Sequence, residues 1–427
     1  MKRDYNEFAG KKILLLGAHA LMLHLIRKAR EMGIYTIVTD NVEDAPAKQE
    51  ADEAYDISVL DVEALIALAK EKQVDGVFTG YVDITLAPCR KVCEALGLPF
   101  YATLEQLEQT MNKVNFKENC RKHGIRVVDD IPQELLDGVY EKITYPVIIK
   151  PADSYGSKGI SVCHRKEEMT AAMEKAMEVS TCKQIVVEEF IDAKDAFLYL
   201  TIQNGHLSLS AMADRLMNNE QYGCATQPVG YFFPSKHINV YFEKVHDKLQ
   251  RMMDDLGIRD GSFLMQGFIV EGDIVFFEMG LRLSGGAGYL QIAKQNEIDQ
   301  LEMHLRYALT GKFDGWDLKT YDNPRFAKPA CVMVVLLNDG EISRIDGVET
   351  VLAHPNVFDM VRMKKVGDRL DARGTLNQVF ARIFMTAENG EELRETITFV
   401  KKNLSVLDVD GRNMIMDSFN EKEVYGN

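Results

Sequence analysis

An unbroken apolar run, Lys12-Ile-Leu-Leu-Leu-Gly17, opens the ordered pattern and ends in Gly. Such a run reads as a strand buried on both faces. Residues 20–32 then predict a helix ending near Gly33, and 35–40 a β-rich strand ending in Asp40. A helix at 61–72, a strand at 76–79 and a helix at 84–96, closed by Gly97, follow. Alternating helices and apolar strands predict an α/β unit with a doubly wound parallel sheet.

The pattern changes after two polar helices within 103–123. Between about 145 and 280 the strands come in adjacent pairs: 146–150 with 160–163, 185–190 with 196–203, and 263–270 with 273–278. Glu271-Gly-Asp273 gives the last pair a hairpin signal. Helices at about 166–178 and 237–255 interrupt them, an α+β arrangement with antiparallel sheets. A third segment mixes strands at about 329–337, 357–363 and 378–386 with a helix at about 391–402. The expected division is 1–110 (α/β), 111–322 (two α+β lobes) and 323–427 (mixed α+β).

Charge narrows the function classes. The 427 residues carry a net charge of -15. A broad nucleic-acid surface needs excess Lys and Arg, so a nucleic-acid partner is not expected. The first apolar run is too short for a signal segment or a membrane span. Seven cysteines show no CxxC pair, and Cys89 and Cys93 are spaced as helix neighbours. Thiols in a reducing compartment account for them, which points to the cytoplasm.

Three stretches carry candidate chemistry. In Tyr145-Pro-Val-Ile-Ile-Lys-Pro-Ala-Asp-Ser-Tyr-Gly-Ser-Lys-Gly-Ile-Ser-Val162, a strand delivers Lys150 to a Gly/Ser loop. Such a loop can close over phosphates with its backbone N–H groups, or be a plain hairpin with a surface lysine. It is not a Walker A loop, which opens a helix. In Ile185-Val-Val-Glu-Glu-Phe-Ile-Asp-Ala-Lys-Asp195, a strand ends in two acids. These suit a nucleoside, or an edge strand with solvated acids. In the third stretch a hairpin sets Gln266 beside Glu278, and Arg282 and Ser284-Gly-Gly286 follow. A carboxylate in an apolar strand is costly unless paired or metal-bound. Glu278 and Arg282 read either as a phosphoryl-transfer pair or as a structural salt bridge.

Taken in order and spacing, Lys113, Lys150, the Gly/Ser loop, Glu188, Asp195, Glu278 and Arg282 resemble the ATP-grasp superfamily of ligases. The resemblance covers nearly the whole chain. Its C-terminal segment is similar to that of biotin-carboxylase-like and phosphoribosylglycinamide-synthetase-like members, and Arg282-Leu-Ser-Gly-Gly286 resembles uncharacterised carboxylate–amine ligases. The resemblance implies ATP, with Mg²⁺ or alternatively Mn²⁺, and small-molecule carboxylate and amine substrates joined through an acyl phosphate. It implies that Lys113 and Lys150 contact the phosphates, and that Ser154, Tyr155, Gly156, Ser157 and Gly159 belong to the covering loop. Glu188, with the backbone of Glu189 and Ile191, would contact adenine. Asp195 would stand at the ribose. Glu278 and Gln266 would face the metal, and Arg282 would steady the acyl phosphate. By the same analogy a homodimer is admitted.

Two positions depart from the family pattern. Gln266 replaces an acid, and Gly280 replaces an asparagine. Gln ligates Mg²⁺ only through a neutral carbonyl oxygen, so the site has one acid fewer. This keeps open a nucleotide-binding protein without turnover, beside a ligase or a bicarbonate-activating carboxylase. A nicotinamide-dependent oxidoreductase would leave the first and third stretches unexplained. Asp214-Arg215 reads as a substrate contact or a structural pair, and His19 as a capping histidine or a crevice residue.

Overall fold

The computed structural model describes residues 5–154, 156, 158–218, 227–371 and 375–416. The first four strands are β1 (Lys12–Leu16), β2 (Tyr35–Thr39), β3 (Glu53–Tyr55) and β4 (Gly76–Thr79). They form a parallel sheet in the order β3-β2-β1-β4. Its two faces explain the unbroken apolar run. Leu14 and Leu16 pack with Leu65, Leu68, Val92 and Cys93 in one cluster, while Ile13 and Leu15 join the main core on the other side. Three helices accompany these strands: α1 (Met22–Glu31), α2 (Val62–Lys72) and α3 (Leu86–Leu96). Cys89 and Cys93 are buried neighbours on α3, as their spacing predicts.

Helices α4 (Leu104–Met111) and α5 (Lys113–Lys122) follow. Thr103 and Gln106 cap α4 reciprocally, and the Asn112 side chain accepts from the first turn of α5. Next come β5 (Val147–Pro151), β6 (Ser161–Cys163) and β7 (Ile185–Glu189), a small antiparallel sheet ordered β6-β5-β7.

Five longer strands are β8 (Lys194–Gln203), β9 (His206–Met217), β10 (Pro228–Phe233), β11 (Gly261–Val270) and β12 (Asp273–Gly280). Six more follow: β13 (Ala330–Leu336), β14 (Gly340–Asp346), β15 (Val357–Arg362), β16 (Arg369–Leu370), β17 (Val379–Thr386) and β18 (Ser405–Asp408). The large sheet runs β12-β11-β8-β9-β10-β13-β17-β15. It therefore crosses residue 322 without interruption. Strands β16, β14 and β18 make a last small sheet.

The structure corrects one expected pairing. The strand at 185–190 does not pair with 196–203. β7 joins β5, whereas β8 lies between β9 and β11. The connection Phe190-Ile-Asp-Ala193 has no residue with positive φ, so it does not reverse the chain as a tight hairpin would. It carries the chain from one sheet to the other. The helix expected at 237–255 is two helices, Ile238–Lys244 and His246–Asp255, broken at Val245.

A short segment ties the two sheets together. Phe276 N donates to Arg126 O and Val128 N donates to Phe276 O. Three residues on, Ile131 N donates to Val187 O. Residues 126–131 thus pair with β12 at one end and with β7 at the other, and the space between the sheets opens beside them.

Candidate active site

Three elements deliver the first group of side chains. Lys113 and Lys117 lie one turn apart on α5, and Lys150 is on β5 with Glu188 opposite on β7. The register pairs Ile148 with Glu188 and Lys150 with Val186, so Lys150 and Glu188 are diagonal neighbours on one face. Glu188 is closed on both sides. Its Oε2 lies 2.6 Å from Lys150 Nζ, and its Oε1 lies 2.7 Å from Lys117 Nζ. Lys117 also reaches Asp130, which Arg121 holds at 2.6 Å. All three central groups are buried. The Glu188 carboxylate therefore positions lysines, and Glu189, Phe190 and Ile191 line the cavity beside it.

Lys113 is buried, and its Nζ donates to Ser154 O at 2.7 Å. Burial lowers its pKa, with Glu278 acting against that and Lys150 with it. The contact ties α5 to the start of the Gly/Ser loop. Gly159 has φ +75° there, and a Cβ would lie 2.8 Å from Pro151 Cγ, so only Gly fits. Tyr155 and Ser157 lie outside the described residues.

A ladder of polar side chains crosses the large sheet. Both Asp195 oxygens accept from Arg215, at 2.6 and 2.5 Å. Arg215 Nη1 donates to Gln266 Oε1 at 2.8 Å, and Gln266 Nε2 donates to Glu278 Oε1 at 3.2 Å. Cross-strand register puts Asp195 opposite Arg215, and Gln266 opposite Glu278. Asp195 is thus committed to Arg215 rather than presented as a free ribose acceptor. Asp214 and Arg215 do not pair, because successive strand residues face opposite sides. Asp214 instead accepts from the Ser235 hydroxyl and from Lys236 N.

Arg282 does not pair with Glu278 either. Its guanidinium takes Asp83 in a fork, at 2.7 and 2.5 Å. Asp83 follows β4, at the C-terminal end of the parallel sheet, where open α/β sheets bind ligands. Burial works against the charge on Arg282, and Asp83 more than restores it, so its pKa is raised. Sequence reading misses Asp83 and Lys117. Their signals were a strand-end acid at the crevice and a second lysine four residues after Lys113. His19 makes an edge contact with Tyr81, and burial lowers its pKa to about 4.

These groups meet in one cavity of about 820 Å³. Its wall includes Lys113, Lys150, Ser154, Gly156, Glu188, Glu189, Ile191, Asp195, Gln266, Glu278 and Arg282. Gly159 is in the loop but not in the wall. Residues 105–285 match the family described as carbamoyl-phosphate synthase L chain, ATP binding domain. Those residues match an ATP-grasp family domain.

Similarity extends beyond these residues. The chain is 26% identical over 311 residues to formate-dependent phosphoribosylglycinamide formyltransferase from Prochlorococcus marinus (strain MIT 9515), across 71% of this chain and 77% of that one. The fold matches L-amino acid ligase from Bacillus licheniformis with a TM-score of 0.76 and 18% identity, over 94% of this chain and 99% of that one. It matches phosphoribosylglycinamide synthetase from Anaerococcus prevotii with a TM-score of 0.71 and 17% identity, over 93% and 100%.

The fit of the site to Mg²⁺ follows from its donor set. Among the described residues no cluster of three or more His, Cys, Asp or Glu side chains forms a metal site. The oxygen of Gln266 is taken by Arg215, which leaves Glu278 as the protein carboxylate. That suits Mg²⁺, which keeps waters and needs only one or two carboxylates when phosphates supply other oxygens. Among the described residues no helix is long and apolar enough to cross a membrane.

Proposed function

We propose that this chain is an ATP-dependent carboxylate–amine ligase that works through an acyl phosphate, in the cytoplasm. The supporting observation is one cavity that gathers Lys113 from α5, Lys150 from β5, Glu278 from β12 and Arg282 from the loop after it. The nucleotide would lie between the small sheet and the β11–β12 hairpin. Its purine would meet the Glu189–Ile191 backbone, and its phosphates would meet Lys113 and Lys150. Glu278 would hold Mg²⁺ or Mn²⁺, which supplies charge stabilisation for the phosphates. A substrate carboxylate oxygen attacks the γ-phosphorus and ADP departs. An amine then attacks the acyl carbon, the carbon–oxygen bond to phosphate breaks, and the nitrogen gives up a proton. Arg282, held in place by Asp83, would stabilise the charge that collects on the acyl phosphate. No side chain needs to act as a nucleophile, because positioning and electrostatics carry the rate. We also assign residues 1–110, 111–322 and 323–427 to three functional units.

Isotope transfer tests the route. With ¹⁸O in the substrate carboxylate, one label should appear in the released phosphate. Label retained wholly in the product would contradict an acyl phosphate. Arg282→Ala should abolish turnover and leave ATP affinity within a few fold, since the phosphate lysines are untouched.

The Arg215–Gln266 contact favours a second reading, a nucleotide binder without turnover. It turns the Gln266 oxygen to a cation and sets that cation one side chain away from Glu278. ATP binding without ADP formation in any substrate mixture would support it.

A further inference from the structure

One cation in the cavity wall has no hydrogen-bond acceptor among the described residues. Arg382 lies mid-way along β17, opposite Val334 on β13 and Val361 on β15. It is 8% exposed and lines the cavity. Its Nε and Nη1 are shielded from solvent and donate to no acceptor among the described residues. The other lysines and arginines of the described wall are engaged: Lys113 by Ser154 O, Lys150 by Glu188, Arg215 by Asp195, and Arg282 by Asp83. A buried guanidinium without an acceptor is costly, and such a group points to a ligand that completes it.

The surroundings specify that ligand. The groups that bear electrostatically on Arg382 are the phenols of Tyr199, Tyr231 and Tyr289. A Cβ at Gly286 would lie 3.2 Å from Tyr199 Oη and 3.4 Å from Tyr231 Cζ, so the loop after Arg282 borders this pocket. His19 also lies near Arg382, and it stays neutral at neutral pH, so it adds no second positive charge. Arg215 also bears on Tyr199 and Tyr231, but Asp195 offsets its charge, so the fork left open beside these phenols matches one carboxylate. A phosphate dianion would call for more positive charge than this end of the described wall offers.

We propose that Arg382 anchors the carboxylate of a small-molecule substrate at the end of the cavity bordered by the Ser284–Gly286 loop. This rests on the ligase reading and adds to it a specificity-determining residue in the C-terminal segment. Thermal unfolding of the full chain provides the test. The probes are acetate, L-alanine and L-phenylalanine in one arm, and inorganic phosphate and ribose 5-phosphate in the other. Each is added with and without MgATP at matched ionic strength. At least one carboxylate should raise the melting temperature of the wild-type chain. Arg382→Met should remove that shift and keep the MgATP shift. Arg382→Lys, which keeps charge but loses the fork, should weaken the carboxylate roughly 10- to 100-fold. Without ligand, Arg382→Met should melt above the wild type, because an unpaired buried charge is replaced by an apolar chain. A purely structural arginine would give the opposite sign. The proposal is overturned by a carboxylate shift that survives Arg382→Met, by stabilisation from the phosphate arm alone, by no carboxylate shift, or by a less stable ligand-free variant. Failure of MgATP to stabilise the wild-type chain would instead count against the ligase reading, and the carboxylate arm would still judge Arg382.

Discussion

Glu188 shows how single residues set the chemistry of this cavity. A carboxylate that is 1% exposed survives only because Lys117 and Lys150 both reach it. Lys150 therefore arrives at the phosphate end already oriented. Replacing Lys117 by Met leaves the buried Glu188 with Lys150 as its one remaining cation. The expected loss of stability is about 3 kcal/mol, read from urea unfolding. An unchanged midpoint would mean that the three-way contact has no energetic weight. Lys150, Glu188, Glu278 and Arg282 stand out in the chain because each sits at or just past the end of a recognisable strand pattern, whereas Lys113 is singled out only by the family resemblance. Asp83 and Arg282 are 199 positions apart, and no local pattern announces that contact. Arg382 did carry a signal, a lone charge in the apolar run Val379-Phe-Ala-Arg-Ile-Phe-Met385, but its lack of a partner can be seen only in the fold.

Among elements, the cross-strand ladder from β8 through β9 and β11 to β12 governs the metal end. Gln266 accepts from Arg215 and donates to Glu278, so it is oriented from both sides. Gln266→Glu keeps the bond from Arg215 and replaces the donated bond by a second carboxylate. Half-saturation by Mg²⁺ should then fall several-fold in a turnover or nucleotide-binding titration. Unchanged Mg²⁺ dependence would place the metal away from Glu278. Most elements could be read from hydrophobic period, because parallel strands buried on both faces and hairpin signals are strong cues. Strands β9 and β10 are not predicted by that reading. Ala211-Met-Ala-Asp-Arg-Leu-Met217 is built from residues that favour helices, and neighbouring strands override that preference. The pairing of β7 was misread because closeness in sequence suggested a hairpin, while the connection has no turn residue to close one.

For the whole molecule, the first sheet and the rest of the chain share a packed and electrostatically sensitive seam. His304, on helix Gln300–Thr310, stacks on Phe78 at 5.1 Å and meets Tyr101 edge-on. Neither ring nitrogen has a hydrogen-bond partner among the described residues, and burial lowers its pKa from 6.5 to about 3. Between those values the unfolded chain binds a proton that the folded chain does not. Stability should therefore fall as pH drops from about 6.5 towards 3, by at most about 1.4 kcal/mol per pH unit from this group. His304→Phe should flatten that slope in urea midpoints measured across the window. A slope that does not change would assign the acid sensitivity to other groups. The Asp83–Arg282 fork crosses the same seam, so the first sheet contributes to the site through a contact as well as through packing.

The account stands or falls on coupled turnover. The most direct measurement is ADP release from MgATP with pooled amino acids, small carboxylates, bicarbonate and amines, followed by division of the pool. The predicted result is ADP that appears only when a carboxylic acid and an amine are both present, with one phosphate released per bond formed. ADP that depends on bicarbonate alone, or no ADP despite tight ATP binding, would contradict a carboxylate–amine ligase.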